Sequence, residues 1–224
     1  MQLIHALQDR DNPNSLSARF RRARARHVVA LIAAIHAEKG GCRIIDLGGE
    51  PNYWTLYDRS FLEAHGVNIL MVNPEPQIID DPLFQVGVGD ACDLPQYADD
   101  SFDLVHSNSV VEHVGDWVRM EAFARETRRL APRYYVQTPN YGFPVEPHFS
   151  SFFFHWRSEQ ARARMLMTRG RGFAAQQGDM GAAMRIVQSA RLLDKRQFRF
   201  LFPDARHLDE RVLGLTKSLV AIRS

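Results

Sequence analysis

The chain has 224 residues, one full-sized domain at roughly 100–200 residues per domain, and it is long enough to bury a single core. Hydrophobic residues make up 45% and charged residues 24%, with only 14 Gly and 11 Pro, which excludes wholesale disorder and a fibrous or low-complexity chain. Twenty-eight Lys and Arg against 26 Asp and Glu leave a formal charge of +2, short of the basic excess that a phosphate backbone selects, so nucleic acid is not an expected partner.

The longest apolar run, 28–35 (VVALIAAI), falls far below the roughly 20 residues that cross a bilayer, so no transmembrane segment is expected. Residues 1–13 carry charges where a signal peptide needs an apolar stretch, and a cytoplasmic protein is expected. Cys42 and Cys92 are too few for a disulfide framework, and neither sits in a CxxC pair.

Over 17–39, Val28, Leu31, Ile32 and Ile35 have the i, i+3, i+4, i+7 spacing of one helix face, with Ser15 or Ser17 as the cap. Arg19, Arg21, Arg22, Arg24 and Arg26 cluster at its start; they read as a solvated helix end, with an anionic partner as the sharper alternative. Gly40 and Gly41 stop the helix, and the run 42–47 (CRIIDL) ending in Gly48 and Gly49 is a buried strand entering a tight loop. A helix is predicted over 54–65, a second strand over 67–72 closed by Asn73 and Pro74, and a third over 83–88 before Gly89, Asp90 and Ala91. A fourth strand, 102–107, leads into helical sequence over 109–130, and a fifth, 133–137, ends at Thr138 and Pro139. Alternating strands and helices with short connections make a parallel sheet covered on both faces. Ligands of such sheets bind outside the carboxyl ends of the strands.

Residues 141–193 break that rhythm with Phe143, Phe149, Phe152, Phe153, Phe154 and Trp156, followed by a stretch rich in Arg, Ala and Met, and read as an insertion or lid. A helix over 194–202, a strand over 206–212 and a last strand over 217–223 close the chain, the two strands forming an antiparallel hairpin at one sheet edge. The expected layout is one domain over 1–224: an N-terminal helix (17–39), a cofactor-binding core (42–140), the lid (141–193) and the closing helix and hairpin (194–224).

A dinucleotide site needs G-x-G-x-x-G, so that backbone N–H groups approach a pyrophosphate at a helix start. The loop Asp46-Leu47-Gly48-Gly49-Glu50-Pro51-Asn52 lacks that pattern, and Glu50 puts a carboxylate where phosphate charges would sit. A cofactor without phosphate, especially a cationic one, fits better. The absence of a G-x-x-x-x-G-K-S/T loop argues against a nucleoside triphosphatase.

Asp46-Leu47-Gly48-Gly49, then Gly89-Asp90-Ala91 with Asp93-Leu94-Pro95, then Ser101-Phe102-Asp103-Leu104-Val105 leading to Val111-Glu112-His113-Val114, resemble the class I S-adenosylmethionine (SAM) dependent methyltransferases, in particular the small-molecule branch called methyltransferase type 11. The resemblance covers about 42–140. It implies a Rossmann-like α/β fold, a seven-stranded, mostly parallel sheet with helices on both faces and an antiparallel edge strand. It also implies SAM as cofactor and a small-molecule acceptor, with a saccharide or lipid-linked intermediate among the candidates. Carried onto this chain, Asp46 would hold the amino acid part of SAM, with Gly48 and Gly49 letting the backbone approach. Asn73 stands where an acidic residue usually accepts the ribose hydroxyls, and Glu75 is the alternative group for that bond. Asp90 would accept from the adenine amine, with the Ala91 or Cys92 backbone serving the ring nitrogen, and Ser107 and Asn108 would lie near the sulfonium. Asp46 and Asp90 also suit turn caps, and His113 reads as a packed, hydrogen-bonded residue.

Methyl transfer is a displacement at carbon, so the protein mainly aligns acceptor and sulfonium, and a base is needed only where the acceptor must lose a proton. Glu146, His148 and His155 are the candidate bases, although Glu146-Pro147-His148 also suits a rigid turn. A metal held by Glu146, His148 and His155 is not expected, because their separations match no compact ligand motif. Enzymes that methylate exocyclic base amines carry an Asn/Asp/Ser-Pro-Pro-Tyr/Phe pattern after the fourth strand, and Ser107-Asn108-Ser109-Val110 lacks it. The aromatic stretch 149–156 suits a lid core, and with Arg157, Arg162, Arg164, Arg169 and Arg171 it also suits an acceptor with an apolar portion and an anionic group. Two other readings stand beside the enzyme: a non-catalytic SAM-binding or scaffold protein, suggested by Glu50-Pro51-Asn52 and Asn73, and a nicotinamide oxidoreductase, which would bind NAD.

Overall fold

The computed structural model describes residues 16–224, with side chains from Arg22 onward. Ser15 and the side chains of Ser17, Arg19 and Arg21 lie outside the described residues. Helix α1 (Leu16–Lys39) buries Val28, Leu31, Ile32 and Ile35, the face that the spacing picks out. Full burial of such a side chain contributes about 1.5–3 kcal/mol, which favours seating this face of the helix on the sheet.

Strands β1 (Cys42–Leu47), β2 (Val67–Asn73), β3 (Phe84–Val88), β4 (Leu104–Asn108) and β5 (Tyr134–Pro139) run parallel and are joined by β8 (Arg206–Val212) and β9 (Leu215–Arg223). The seven-stranded order is β3-β2-β1-β4-β5-β9-β8, with β9 antiparallel to both its neighbours. That is the expected fold, a mostly parallel sheet with an antiparallel hairpin at its edge. Successive strand residues point to opposite faces and both faces are covered, which is why the central strands read as nearly continuous apolar runs. Ile45, Leu47, Val105 and Tyr134 face one core; Ile44, Leu104, Tyr135 and Ile222 face the other, beneath α1. No helix among the described residues is long and apolar enough to cross a membrane.

Two predicted helices are divided. In place of 54–65 there are α2 (Pro51–Trp54) and α3 (Arg59–Ala64), because the Asp58 side chain accepts the Ser60 N–H at 2.8 Å and starts a new helix. In place of 109–130 there is a 3-10 turn (Val111–His113) and then α4 (Trp117–Leu130), capped by Asp116 accepting the Arg119 N–H at 3.0 Å. Gly115 between them has φ +123°, which no helix tolerates. The insertion holds a short ladder, β6 (Val145–Glu146) with β7 (Ser151–Phe152), and two packed helices, α5 (Glu159–Thr168) and α6 (Met180–Gln188). Phe149, Phe154, Ala163, Leu166, Ala183 and Val187 give it a small core of its own. Helix α7 (Lys195–Leu201) starts at an Asp194–Gln197 capping box and leads to the closing hairpin.

Candidate functional site

The carboxyl ends of β1 to β4 lie side by side, and their loops are hydrogen-bonded to one another. The Gly48 N–H donates to Val72 O at 2.9 Å, Gly89 N–H donates to Asn73 O at 2.9 Å, and Asn73 Nδ2 donates to Gly49 O at 3.0 Å. The last bond accounts for an amide at position 73, since a carboxylate would face the Gly49 carbonyl oxygen without a proton to offer. The Asn73 Oδ1 acceptor is not used in that bond. Gly48 has φ +72°, and a methyl group there would come within 2.6 Å of Val110. Glu75 and Glu50 are both exposed at the rim of this region.

Asp46 lies behind the loop. Its Oδ2 accepts from Trp54 Nε1 at 2.7 Å, its Oδ1 pairs with His106 Nδ1 at 2.6 Å, and only 1% of the residue is exposed. Each carboxylate oxygen thus already has one partner inside the protein, where Asp46 braces α2 and β4 against the Gly48–Gly49 turn. Ser107 is buried as well, and its hydroxyl donates to Leu47 O at 3.1 Å. Asn108 reaches the mouth of β4, where its Oδ1 accepts from Arg24 Nη1 at 2.9 Å. A guanidinium thus stands where acceptors for a sulfonium were expected. Arg24 is nearly enclosed, beside Glu210 at 3.2 Å, and the signal for it was present in the sequence: it precedes Val28 by one helical turn, on the buried face of α1.

At the end of β3, Asp90 does what a turn cap does, accepting the Cys92 N–H at 3.0 Å, and also receives Arg119 Nη2 at 2.7 and 2.6 Å. Desolvation pushes its carboxyl up, but the Arg119 and Cys92 bonds outweigh this and hold it below the usual carboxylate range. Ala91 follows in the same turn, half-buried.

A second cluster forms where the turn after β4 meets the insertion. Glu146 is buried; its Oε1 accepts from His148 Nδ1 at 2.7 Å and its Oε2 from the Phe149 N–H at 2.6 Å. His148 Nε2 lies 3.1 Å from His113 Nε2, and His113 Nδ1 bonds Ser189 O at 2.7 Å. Beside them Glu112 is buried, with Oε2 accepting from Thr138 Oγ1 at 2.9 Å and Oε1 lacking a partner; burial pushes its carboxyl up. His155 is not part of this group. Its Nε2 bonds Tyr141 O at 2.8 Å, so of the three candidate bases only Glu146 and His148 come together. Glu112 and His113 join them across 35 positions of sequence, a contact that no local pattern announces.

The aromatic stretch divides. Phe149 and Phe154 are buried in the insertion's core, while Phe152, Phe153 and Trp156 are exposed, as are Arg157, Arg164 and Arg169. A groove of about 1090 Å³ between α1, α3 and the β8–β9 hairpin, bordered by Arg22, Arg26 and Arg211, carries none of the expected site residues.

The family model described as "Methyltransferase domain" matches residues 57–133. Among curated proteins no sequence match is found. A solved structure from Rhodobacter sphaeroides, assigned to Zn-dependent alcohol dehydrogenases, is 11% identical with a TM-score of 0.51, covering 81% of this chain and 83% of that one. A Haloferax volcanii protein assigned as a methyltransferase, in complex with the Trm112 methyltransferase activator, is 15% identical with a TM-score of 0.48 and 81% of each chain covered. The Burkholderia thailandensis 1,6-didemethyltoxoflavin-N1-methyltransferase, with 1,6-didemethyltoxoflavin and S-adenosylhomocysteine bound, is 12% identical with a TM-score of 0.46, covering 86% of this chain and 75% of that one.

Proposed function

For a chain that carries a methyltransferase domain on the class I sheet, we propose the transfer of a methyl group from SAM to a small-molecule acceptor. The observation that carries this reading is the meeting of the Gly48–Gly49 turn, Asn73, the Asp90 turn and the Arg24–Asn108 pair at the carboxyl ends of four adjacent strands. The donor set suits SAM. Asn73 Oδ1 is available to a ribose hydroxyl, and Asp90 Oδ2, with one bond from Arg119, keeps acceptor capacity for an adenine amine beside the Ala91 backbone. Arg24 supplies the charge that a methionine carboxylate would seek, and exposed Glu50 disfavours a diphosphate.

When bound, SAM supplies an electrophilic methyl carbon whose bond to sulfur breaks with the electron pair passing to sulfur. The chain's own work is to orient and to exclude water. Asp46 acts as a positioning residue through Trp54 and His106. Where the acceptor has a proton to lose, His148 takes it at Nε2, its ring held by Glu146 through Nδ1. Exposed Phe152, Phe153 and Trp156 beside Arg157 and Arg164 favour an acceptor with a ring or apolar portion and an anionic group.

Calorimetry tests the cofactor: saturable heats with SAM and S-adenosylhomocysteine, and none with NAD, are expected. No heat with either adenosyl compound ends the proposal. Labelled SAM offered with a metabolite panel then tests transfer, and binding without incorporation into any acceptor is the result that a non-catalytic SAM-binding protein would give.

A further inference from the structure

We infer that Glu112, His113 and His148 form a site for one divalent transition-metal ion, with Zn²⁺ as the best-suited class. The argument begins with protons. His113 Nδ1 faces the Ser189 carbonyl, which can only accept, and His148 Nδ1 faces the Glu146 carboxylate, which already accepts the Phe149 N–H. Both Nδ1 atoms therefore carry hydrogen, which leaves the two Nε2 atoms, 3.1 Å apart, to share a cation, either a proton or a metal ion.

The ring geometry distinguishes a shared proton from a metal. A linear N–H···N bond of this length would put the ring centres roughly 5.4 Å apart. Two imidazoles aimed at one ion about 2.05 Å from each nitrogen would put them roughly 4.8 Å apart, with an angle of roughly 100° at the ion, close to tetrahedral. The centres are 4.8 Å apart.

A third observation is independent of the histidines. Glu112 is 1% exposed, and its Oε1 is buried without a partner. The ligand atoms of Glu112, His113 and His148 all lie within 4.8 Å of one another. Glu146, 2% exposed, adds a second buried carboxylate behind His148. A divalent cation would offset the cost of ionising a carboxylate buried there. Ser189 O and Glu146 then serve as the outer partners that fix a metal-binding imidazole's tautomer and orientation.

Three protein ligands leave a coordination position open, so the ion could polarise an acceptor oxygen. That consequence rests on the methyl-transfer reading; binding of the ion does not. With the ion in place His148 Nε2 is a ligand, and its role as a base belongs to the metal-free chain.

The test uses the full chain, stripped with chelator and titrated with Zn²⁺ by calorimetry and with Co²⁺ by visible absorption, with no SAM present. One equivalent is expected to bind, with a Co²⁺ spectrum of low coordination number. Glu112→Gln and His148→Asn should weaken binding by at least a hundredfold, and Glu146→Gln by about 10–100-fold, the usual cost of losing an outer partner. No saturable binding overturns the inference. So does a Glu112→Gln variant that binds as tightly as the parent, because the ion would then be held by surface histidines alone. Should Glu112→Gln not fold, the exposed His113→Asn replaces it, and unchanged affinity there is equally fatal.

Discussion

Arg24 and Asn108 are joined by a 2.9 Å hydrogen bond across 84 positions of sequence, so the first helix is fastened to the carboxyl end of a central strand. The guanidinium is 11% exposed and sits 3.2 Å from Glu210, also 11% exposed. Arg24→Met removes the ion-pair partner of the part-buried Glu210 and should destabilise the fold by about 1–3 kcal/mol, the Ser218 bond and Lys217 offsetting part of the loss. Under the proposed role it should also weaken SAM binding by about 10–100-fold, and Arg24→Lys should recover only part of that, because a point charge cannot reproduce the planar fork. Chemical denaturation and calorimetry measure the two effects separately. Unchanged SAM affinity in a folded Arg24→Met protein would remove Arg24 from the site.

The turn after β1 makes a sharper steric prediction. A methyl group at Gly49 would overlap the Asp46 carboxylate, which cannot retreat without breaking its bonds to Trp54 and His106. Gly49→Ala should therefore destabilise the fold by about 1–3 kcal/mol. Gly178→Ala provides the control, since nothing lies within 4 Å of the added carbon and the expected change is within about 0.5 kcal/mol. Equal midpoints for the two variants would mean that Asp46 is not fixed where it is described.

Trp54 tests the same brace from the other side. Its indole N–H is one of two bonds that satisfy the buried Asp46 carboxylate. Trp54→Phe keeps most of the apolar contact and leaves Oδ2 unsatisfied, a loss of about 1–3 kcal/mol beyond the change in packing. Pairing it with Asp46→Asn in a double-mutant cycle should give a clear coupling energy. Strict additivity would contradict the bond.

The amount of this that was legible in the sequence follows from the range of the interactions. The stripe Val28, Leu31, Ile32 and Ile35 and the apolar strands could be read because each element's own period encodes its burial. The break within 54–65 has no periodic signal, because the restart depends on one side-chain bond from Asp58. Gly48, Asn73 and Asp90 were found together because strand ends in a parallel sheet converge by topology. The inner partners of Asp46 and Ser107 were not legible, because strand alternation says which face a residue takes, and not whether a Trp54 indole or a Leu47 carbonyl waits there. The Glu112–His113–His148 cluster needed the insertion to fold back over the turn after β4, a contact with no local signature.

Acid sensitivity supplies the last prediction. Burial lowers the pKa of His155, whose Nε2 is engaged by Tyr141 O, and of His207, whose Nε2 bonds Phe202 O. Both therefore bind protons less readily folded than unfolded, where the value is about 6.5. The unfolded chain takes up more protons, so stability rises with pH through this window and is lost as pH falls below about 6.5. The carboxylates held low by partners, Asp81 by Arg59 foremost, add their own loss only further into acid. Thermal midpoints measured between about pH 7.5 and pH 5.5 should fall on acidification, and His155→Gln, which can still donate to Tyr141 O, should flatten part of that slope. Glu112 and Glu210, whose carboxyls burial pushes up, act in the opposite direction, so the variant isolates the imidazole: a slope unchanged in His155→Gln would show that His155 is not shielded from water as its surroundings require.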